Sequence, residues 1–505
     1  MKRFSLFAIM MLLAVSVNAV AADQPNILFI TVDDMSCDSI GVFGAELEGI
    51  SPNVDALAAQ GMRFEMAHVQ VGNCYPSRNV MFSGRYPHNS GVEGFYAVKP
   101  IDYPVMCDLM KSAGYYVAIR GKVSHSTPYV PYAWDDDLTT SADGKQRHLK
   151  DVPSYGECTA EGIANAKKAG KPFCLNINIS DPHKPFWKPN DPHPASKEYS
   201  ADEVPVPGFL HDDPAIREEL ALYYTSVRRA DDAVGSILQA LQDSGEEENT
   251  MVMFLSDHGM PLPFAKTQLY HHSTRTPWIV RWPGVVEEGA VNAEHMISAV
   301  DLMPTWCDIV GLQHPEGFDG RSFLPLLKGE AQEQRDVVFK VYNENAGGNR
   351  NPMRGVQTAE YLYLFNPWSD GELTMATATN GTATWKRMQV LGKEDSYIQE
   401  RVDLMKFRVP EELYDVKQDP DCRHNLIDEP KHAKALADLR KSMEKFMIES
   451  GDPILEVFRN RDDAAARKAY VEMKQAEADV RRTKRRGGKK KEKGEQKAKP
   501  KKKAQ

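Results

Sequence analysis

Asn26-Ile27-Leu28-Phe29-Ile30-Thr31 leads through Val32 into Asp33-Asp34. A short, unbroken apolar run of this kind predicts a strand buried on both faces. Two adjacent carboxylates follow it directly. The pattern recurs along the chain. Tyr115 to Arg120 runs into Gly121-Lys122, Pro172 to Asn178 into Asp181-Pro182-His183, and Thr250 to Leu255 into Asp257-His258-Gly259. Amphipathic stretches such as Val54 to Gln60 and Ile216 to Asp243 read as helices between them. Strands alternating with helices predict an α/β fold with a large, mostly parallel central sheet. Ligands of such sheets bind beyond the carboxyl ends of the strands. Four polar clusters at four such ends are therefore expected to converge on one site.

The texture changes near residue 335. Val337 to Tyr342, Met353 to Phe365 and Glu411 to Val416 read as antiparallel strands, and Glu429 to Ser450 as a helix. The expected division is a catalytic domain over 23–333, a smaller C-terminal α+β subdomain over 334–455, and a charged helix with a disordered Lys-rich tail over 456–505. At about 150 residues per domain, 505 residues accommodate this and exclude a small disulfide-stapled protein.

Charge is divided unevenly. Arg481 to Gln505 holds 14 Lys or Arg against 2 Glu, so this tail is +12 and the remainder −21, which together make the net −9. An acidic body excludes a broad nucleic-acid surface on it, while the tail is a candidate for binding polyanions. At the other end, Lys2 and Arg3 precede an apolar run from Phe4 to Val17 and small residues through Ala22. This is the pattern of a cleaved signal peptide over 1–22. The expected protein is exported, periplasmic or secreted, and soluble after signal removal. Seven widely spaced cysteines with no Cys-x-x-Cys argue against a zinc knuckle.

One cysteine stands in a distinctive setting. Asn73-Cys74-Tyr75-Pro76-Ser77-Arg78, followed by Met81-Phe82-Ser83-Gly84-Arg85, resembles the signature of the type I sulfatases, in which Cys-x-Pro-x-Arg leads into Ser/Thr-Gly-Arg. The resemblance implies an alkaline-phosphatase-like sandwich and oxidation of Cys74 to formylglycine by a formylglycine-generating or sulfatase-maturating enzyme. The hydrated aldehyde would be the nucleophile. A geminal diol suits sulfate-ester cleavage, because one hydroxyl attacks and the other later expels sulfate as the aldehyde re-forms.

Asp33-Asp34 and Asp257-His258 are metal candidates on chemical grounds, since clustered carboxylates repel unless a cation compensates them. Carboxylate oxygens suit Ca²⁺ or Mg²⁺. The resemblance implies one Ca²⁺, held by Asp33, Asp34, Asp257, His258 and the modified Cys74. Many sulfatases have Asp-Asn where this chain has Asp-His. The resemblance further implies that Arg78 holds the nucleophile and that Lys122 bridges it to the sulfate. His125 would take a proton during elimination, His183 would protonate the leaving group, and Lys266 would bind sulfate oxygens. Gly121-Lys122-Val123-Ser124-His125 is one residue longer than the usual Gly-Lys-x-His.

Other segments resemble the heparan N-sulfatase branch, among them Leu222 to Asp232, Ser256 to Pro263 and Pro352 to Gln357. That branch implies a sulfated saccharide substrate cut at the N-sulfate of glucosamine. Glu344 and Arg354 are candidates for sugar contact. An O-sulfatase of the iduronate or choline type stays open at this point. So do a phosphatase or phosphonate hydrolase of the same superfold, and a glycan-binding protein without turnover.

Overall fold

Eight strands form the central sheet of the computed structural model, which describes residues 24–141 and 143–498. In chain order they are β1 (Asn26–Asp33), β2 (Met62–Phe64), β3 (Tyr116–Arg120), β4 (Asp136–Asp137), β5 (Phe173–Pro182), β6 (Thr250–Ser256), β7 (Trp278–Arg281) and β8 (Ala290–Asn292). Their spatial order is β4-β3-β5-β1-β6-β7-β2-β8. The half from β4 to β6 is parallel throughout, and β7 runs antiparallel to both of its neighbours. The expected α/β fold with a mostly parallel central sheet is thus present. The expected export segment, residues 1–22, lies outside the described residues.

Successive side chains of β1 point to opposite faces and feed two cores. Leu28, Ile30 and Val32 pack in one with Val227, Val234 and Ile237 of the Pro214–Asp243 helix. Ile27 and Phe29 belong to the other, with Met81, Phe82 and Trp306. The Phe29 ring stands edge-on to Trp306 at 5.2 Å and to Phe82 at 6.0 Å. Helices therefore cover both faces, which explains why β1 is apolar without alternation.

Register sets the level of the site. Thr31 pairs with Asn178 of β5 and Leu255 of β6, Val32 with Ser256, and Asp33 with Pro182. Arg120 of β3 pairs with Ile177. The residues that follow these pairs are Asp34, Asp257, His183 and Gly121-Lys122. They leave the sheet at the same edge.

A second sheet is antiparallel throughout: β9 (Val338–Glu344), β10 (Arg350–Gln357), β11 (Tyr361–Phe365) and β12 (Glu411–Asp415). Val341, Tyr363 and Leu413 continue the same core that contains Leu28, so the two sheets share one apolar interior. Among the described residues no helix is long and apolar enough to cross a membrane.

A helix spans Ala464–Ala498 and so continues well into the Lys-rich stretch. Tyr470 and Val471 dock its first turns into the core. Once a helix is nucleated, extension through Lys, Arg, Glu and Ala is favourable without further burial. Residues 499–505 lie outside the described residues.

Candidate active site

Cys74 opens a ten-residue helix, Cys74–Ser83, that closes on Gly84 at a left-handed φ of 64°. The first turn is fastened to the end of β6. Ser77 Oγ donates to the Asp257 carbonyl at 2.7 Å, and Arg78 Nε donates to Asp257 Oδ2 at 2.9 Å. Arg78 Nη1 also donates to Asn178 Oδ1 at 2.6 Å and to Thr31 Oγ1 at 2.9 Å. Arg78 is fully buried. Burial opposes its charge, but Asp257 and Asp33 outweigh that and hold the guanidinium above its ordinary pKa. Cys74 itself is buried at the amino end of the helix.

Asp33, Asp34, Asp257 and His258 each bring one donor atom to within 4.8 Å of the others, and all four are buried. Asp34 adopts a φ of 71°, and its N–H donates to Asp257 Oδ1 at 3.1 Å. A non-glycine residue in that region stores strain, which is found at functional sites. His258 Nδ1 lies 3.0 Å from the Gly259 carbonyl. A carbonyl only accepts, so the proton sits on Nδ1 and Nε2 is turned inward. Nε2 lies 3.2 Å from Asp34 Oδ1 and 3.7 Å from Asp257 Oδ1. A ring nitrogen between carboxylates requires a proton or a cation beside it. Burial lowers the pKa of His258, but Asp257 and Asp34 overcome this and raise it. Asp33 Oδ1 is buried with no hydrogen-bond donor among the described residues. An orphaned carboxylate oxygen, two further carboxylates and an imidazole of fixed tautomer fit a divalent ion, so the cluster can hold a metal.

Cations surround these carboxylates. Lys122 ion-pairs with Asp33, and Lys266 Nζ donates to both oxygens of Asp34, at 2.6 and 2.7 Å. Burial alone would raise the Asp33 carboxyl. Lys122, His183, Arg78 and Lys266 together hold it well below the ordinary carboxylate range. Three buried carboxylates thus face Arg78, Lys122 and Lys266. Such a mixed-charge pocket can bind a metal on one side and an anion on the other.

Gly121 and Lys122 both take positive φ, 68° and 52°. A Cβ on Gly121 would stand 3.0 Å from the Asn178 carbonyl oxygen, so the turn that delivers Lys122 requires glycine. The extra residue between Lys122 and His125 is taken up by one helical turn, Val123–Ser126. The His125 ring lies 5.2 Å from that of Tyr75 and 6.1 Å from that of Phe95. Burial, then Lys122 and Arg78, push its pKa down to about 4, so it is a neutral base at neutral pH. His183 Nδ1 meets the Lys184 carbonyl at 2.6 Å, which leaves Nε2 as its free position.

All ten catalytic and metal candidates therefore stand at one sheet edge, but the two sugar-contact candidates do not join them. Arg354 is buried and donates to Asp452 Oδ1 at 2.9 Å and to Asn343 Oδ1 at 3.0 Å. Glu344 is buried and engaged by Arg350 at 3.3 Å and Arg481 at 3.0 Å. Both take part in ion pairs that hold the second sheet. A cavity of about 820 Å³ opens instead beside Lys122, His125 and His183, with Arg147, His148 and Lys184 among its walls. A hollow of about 940 Å³ at the amino ends of β1 and β5 carries none of the site residues.

Further residues support this arrangement. Asn178 accepts from Arg78 and from Thr31 Oγ1 at 2.6 Å, and its Nδ2 donates to the Arg120 and Gly121 carbonyls at 3.0 Å. The signal for it was present: an amide side chain inside a fully buried strand needs partners. Lys150 donates to the His183 carbonyl and to Asp181 Oδ1, each at 2.7 Å, and Arg229 closes on Asp181 at 2.7 Å. A lysine in a loop offers no such signal.

Asn178→Ala should lower stability by about 1–3 kcal/mol, because it orphans buried groups. Turnover should fall about 10- to 100-fold through a displaced Arg78 and Lys122. Urea unfolding and steady-state kinetics read the two effects; wild-type values in both would remove Asn178 from the supporting shell.

The family model described as Sulfatase matches residues 25–312. The model described as N-sulphoglucosamine sulphohydrolase, C-terminal, matches residues 257–373. An ulvan-active sulfatase of Formosa agariphila is 29% identical over 447 residues, covering 86% of this chain and 82% of its own. The human N-sulphoglucosamine sulphohydrolase is 26% identical over 486 residues, covering 85% and 91%. A solved structure in complex with its substrate D-glucosamine-2-N,6-O-disulfate superposes with a TM-score of 0.64 at 19% identity, covering 85% of this chain and 99% of that one.

Proposed function

Because the chain belongs to the sulfatase family, we propose that it is an exported sulfatase that removes sulfate from a sulfated glycan, with the N-sulfate of glucosamine in heparin-like saccharides as its target. The observation that carries the reading is the fastening of the Cys74 helix, through Ser77 and Arg78, onto Asp257 of the metal-capable cluster.

On this reading a maturating enzyme converts Cys74 to formylglycine, whose hydrate supplies the attacking oxygen. A bound Ca²⁺, held by Asp33, Asp34, Asp257 and His258, supplies Lewis-acid stabilisation of charge. The chain's own residues do the rest. Arg78 orients residue 74 from a buried position, held through Nε and Nη1. Lys122 and Lys266 bind the sulfate oxygens and stabilise charge that grows on them in the transition state. His183, whose Nε2 is turned away from the Lys184 carbonyl, is the group that passes a proton to the departing nitrogen. His125, neutral at working pH, takes the proton released when sulfate leaves. The cavity beside them lies within the usual size range of small-ligand pockets and receives the sugar.

Two observations support the N-sulfate target: the match of residues 257–373 to the N-sulphoglucosamine sulphohydrolase C-terminal model, and the human relative. A relative named as a Delta 4,5-hexuronate-2-O-sulfatase favours a second reading, an O-sulfated saccharide substrate. Sulfate release should be assayed on N-sulfoglucosamine, glucosamine 6-O-sulfate and a uronate 2-O-sulfate. The expected order places N-sulfoglucosamine first by roughly 100-fold in kcat/KM, a margin that polar recognition of the leaving nitrogen can supply. Equal or faster release from an O-sulfate would replace the first reading with the second. Phosphate-ester hydrolysis by protein whose Cys74 is unmodified would point to the phosphatase chemistry of the same superfold.

A further inference from the structure

The Ala464–Ala498 helix is seated on the turn between β9 and β10. The Arg350 N–H donates to Gln475 Oε1 at 2.9 Å, Gln475 Nε2 donates to the Gly348 carbonyl at 3.3 Å, and Arg482 Nη1 donates to the Gly347 carbonyl at 3.3 Å. Arg481 pairs with Glu344 at 3.0 Å, and its guanidinium carbon lies 5.8 Å from the centre of the Tyr96 ring. The residue before Tyr96, Phe95, has its ring 5.9 Å from Tyr75 and 6.1 Å from His125. Tyr75 is the immediate neighbour of Cys74. A short run of aromatic contacts therefore joins the base of the basic helix to the rim of the candidate active site.

From Arg481 to Ala498 the helix contains ten Lys or Arg and two Glu. Seventeen residues beyond Arg481 rise roughly 25 Å. Residues 1–480 carry −21. A polyanionic substrate approaching such a body is repelled except where local positive charge offsets the field. Like charges concentrated on one helix also repel one another and are relieved by a counter-charged partner.

We infer that the Arg481–Ala498 part of this helix is an arm that holds a sulfated polysaccharide chain beside the site that desulfates its end. The inference rests on the proposed function for the identity of the polymer. Its physical effect is one of effective concentration: a chain held by the arm presents its terminus repeatedly to the cavity. The attraction is between the cationic residues of the arm and the sulfates of the polymer and is screened by salt.

The test uses the full chain, a form ending at Thr483, and a full-length Lys489→Glu, Lys490→Glu, Lys491→Glu variant. Each is applied to immobilised heparin in a Cys74→Ala background and, with Cys74 intact, assayed for sulfate release from heparin and from N-sulfoglucosamine. Both altered forms should elute from heparin at markedly lower salt. Their KM for heparin should rise roughly tenfold or more at low ionic strength. Their kinetics on the monosaccharide should stay unchanged, and the difference on heparin should vanish at high salt. Unaltered elution and unaltered heparin KM in both forms would overturn the inference. So would loss of binding to phosphatidylcholine–phosphatidylserine vesicles with heparin kinetics preserved, which would make the helix a membrane tether. If the full chain releases no sulfate from any substrate, the functional reading fails, while the elution measurement still decides the arm.

Discussion

Cys74→Ala is expected to abolish sulfate release, lowering turnover on the order of 10⁴-fold or more, the scale seen when a covalent nucleophile is removed. The side chain is buried at the head of a helix whose next turn is bonded to Asp257 at two points. The substitution removes only the functional end of the side chain from this frame. Arg78, Ser77 and the carboxylate cluster keep their partners, so the fold should be retained and the loss should be chemical. Thermal unfolding within a degree or two of wild type, together with absent turnover, is the expected pair of results. Peptide mass spectrometry across residue 74 of the mature wild-type enzyme should show the aldehyde or its hydrate in place of the thiol. Full activity in the alanine variant would end the proposed mechanism. An active enzyme with an unmodified thiol would end the part played by formylglycine.

Asp257→Asn should have the second largest effect, and it should act on stability and metal uptake together. Asp257 accepts from Arg78 Nε and from the Asp34 N–H, and it stands beside His258. The amide is nearly the same shape, but it cannot balance the buried guanidinium. Breaking one side of a buried ion pair costs about 3–5 kcal/mol, because the remaining charge is left without compensation. The melting temperature should fall by several degrees even in the presence of a chelator. Wild-type protein should also gain thermal stability on titration with Ca²⁺, by mass action on the folded state. The variant should gain little or none. Equal Ca²⁺-dependent stabilisation of both proteins would remove Asp257 from the ligand set, whatever happens to activity.

The reach of the sequence can be followed residue by residue. Asp33-Asp34, Lys122, His183 and Asp257-His258 were identifiable because each follows a buried apolar run, and such runs are local features. Cys74 and Arg78 were identifiable because a short motif holds them at fixed spacing on one helical turn. Asn178 carried a readable signal, an amide in a buried strand, that went unassigned. Lys150 and Arg229 carried none. Their role arises only where loop, strand and helix meet at Asp181.

Arg354 and Glu344 show the limit from the other side. As residues in a strand region they were open to solvent or to sugar on paper, yet their partners, Asp452 and Arg481, lie about a hundred residues or more away in the chain. Sequence by itself determined the strand–helix alternation, the charge division and which polar clusters follow the buried strands, because periodicity and spacing are properties of neighbours along the chain. Only the tertiary structure decided that Thr31, Asn178 and Leu255 share one register, that His258 turns Nε2 inward, and that the basic helix is seated on the turn between β9 and β10. Each of these depends on how distant segments pair, and a slip of one residue in a strand would send every side chain to the opposite face.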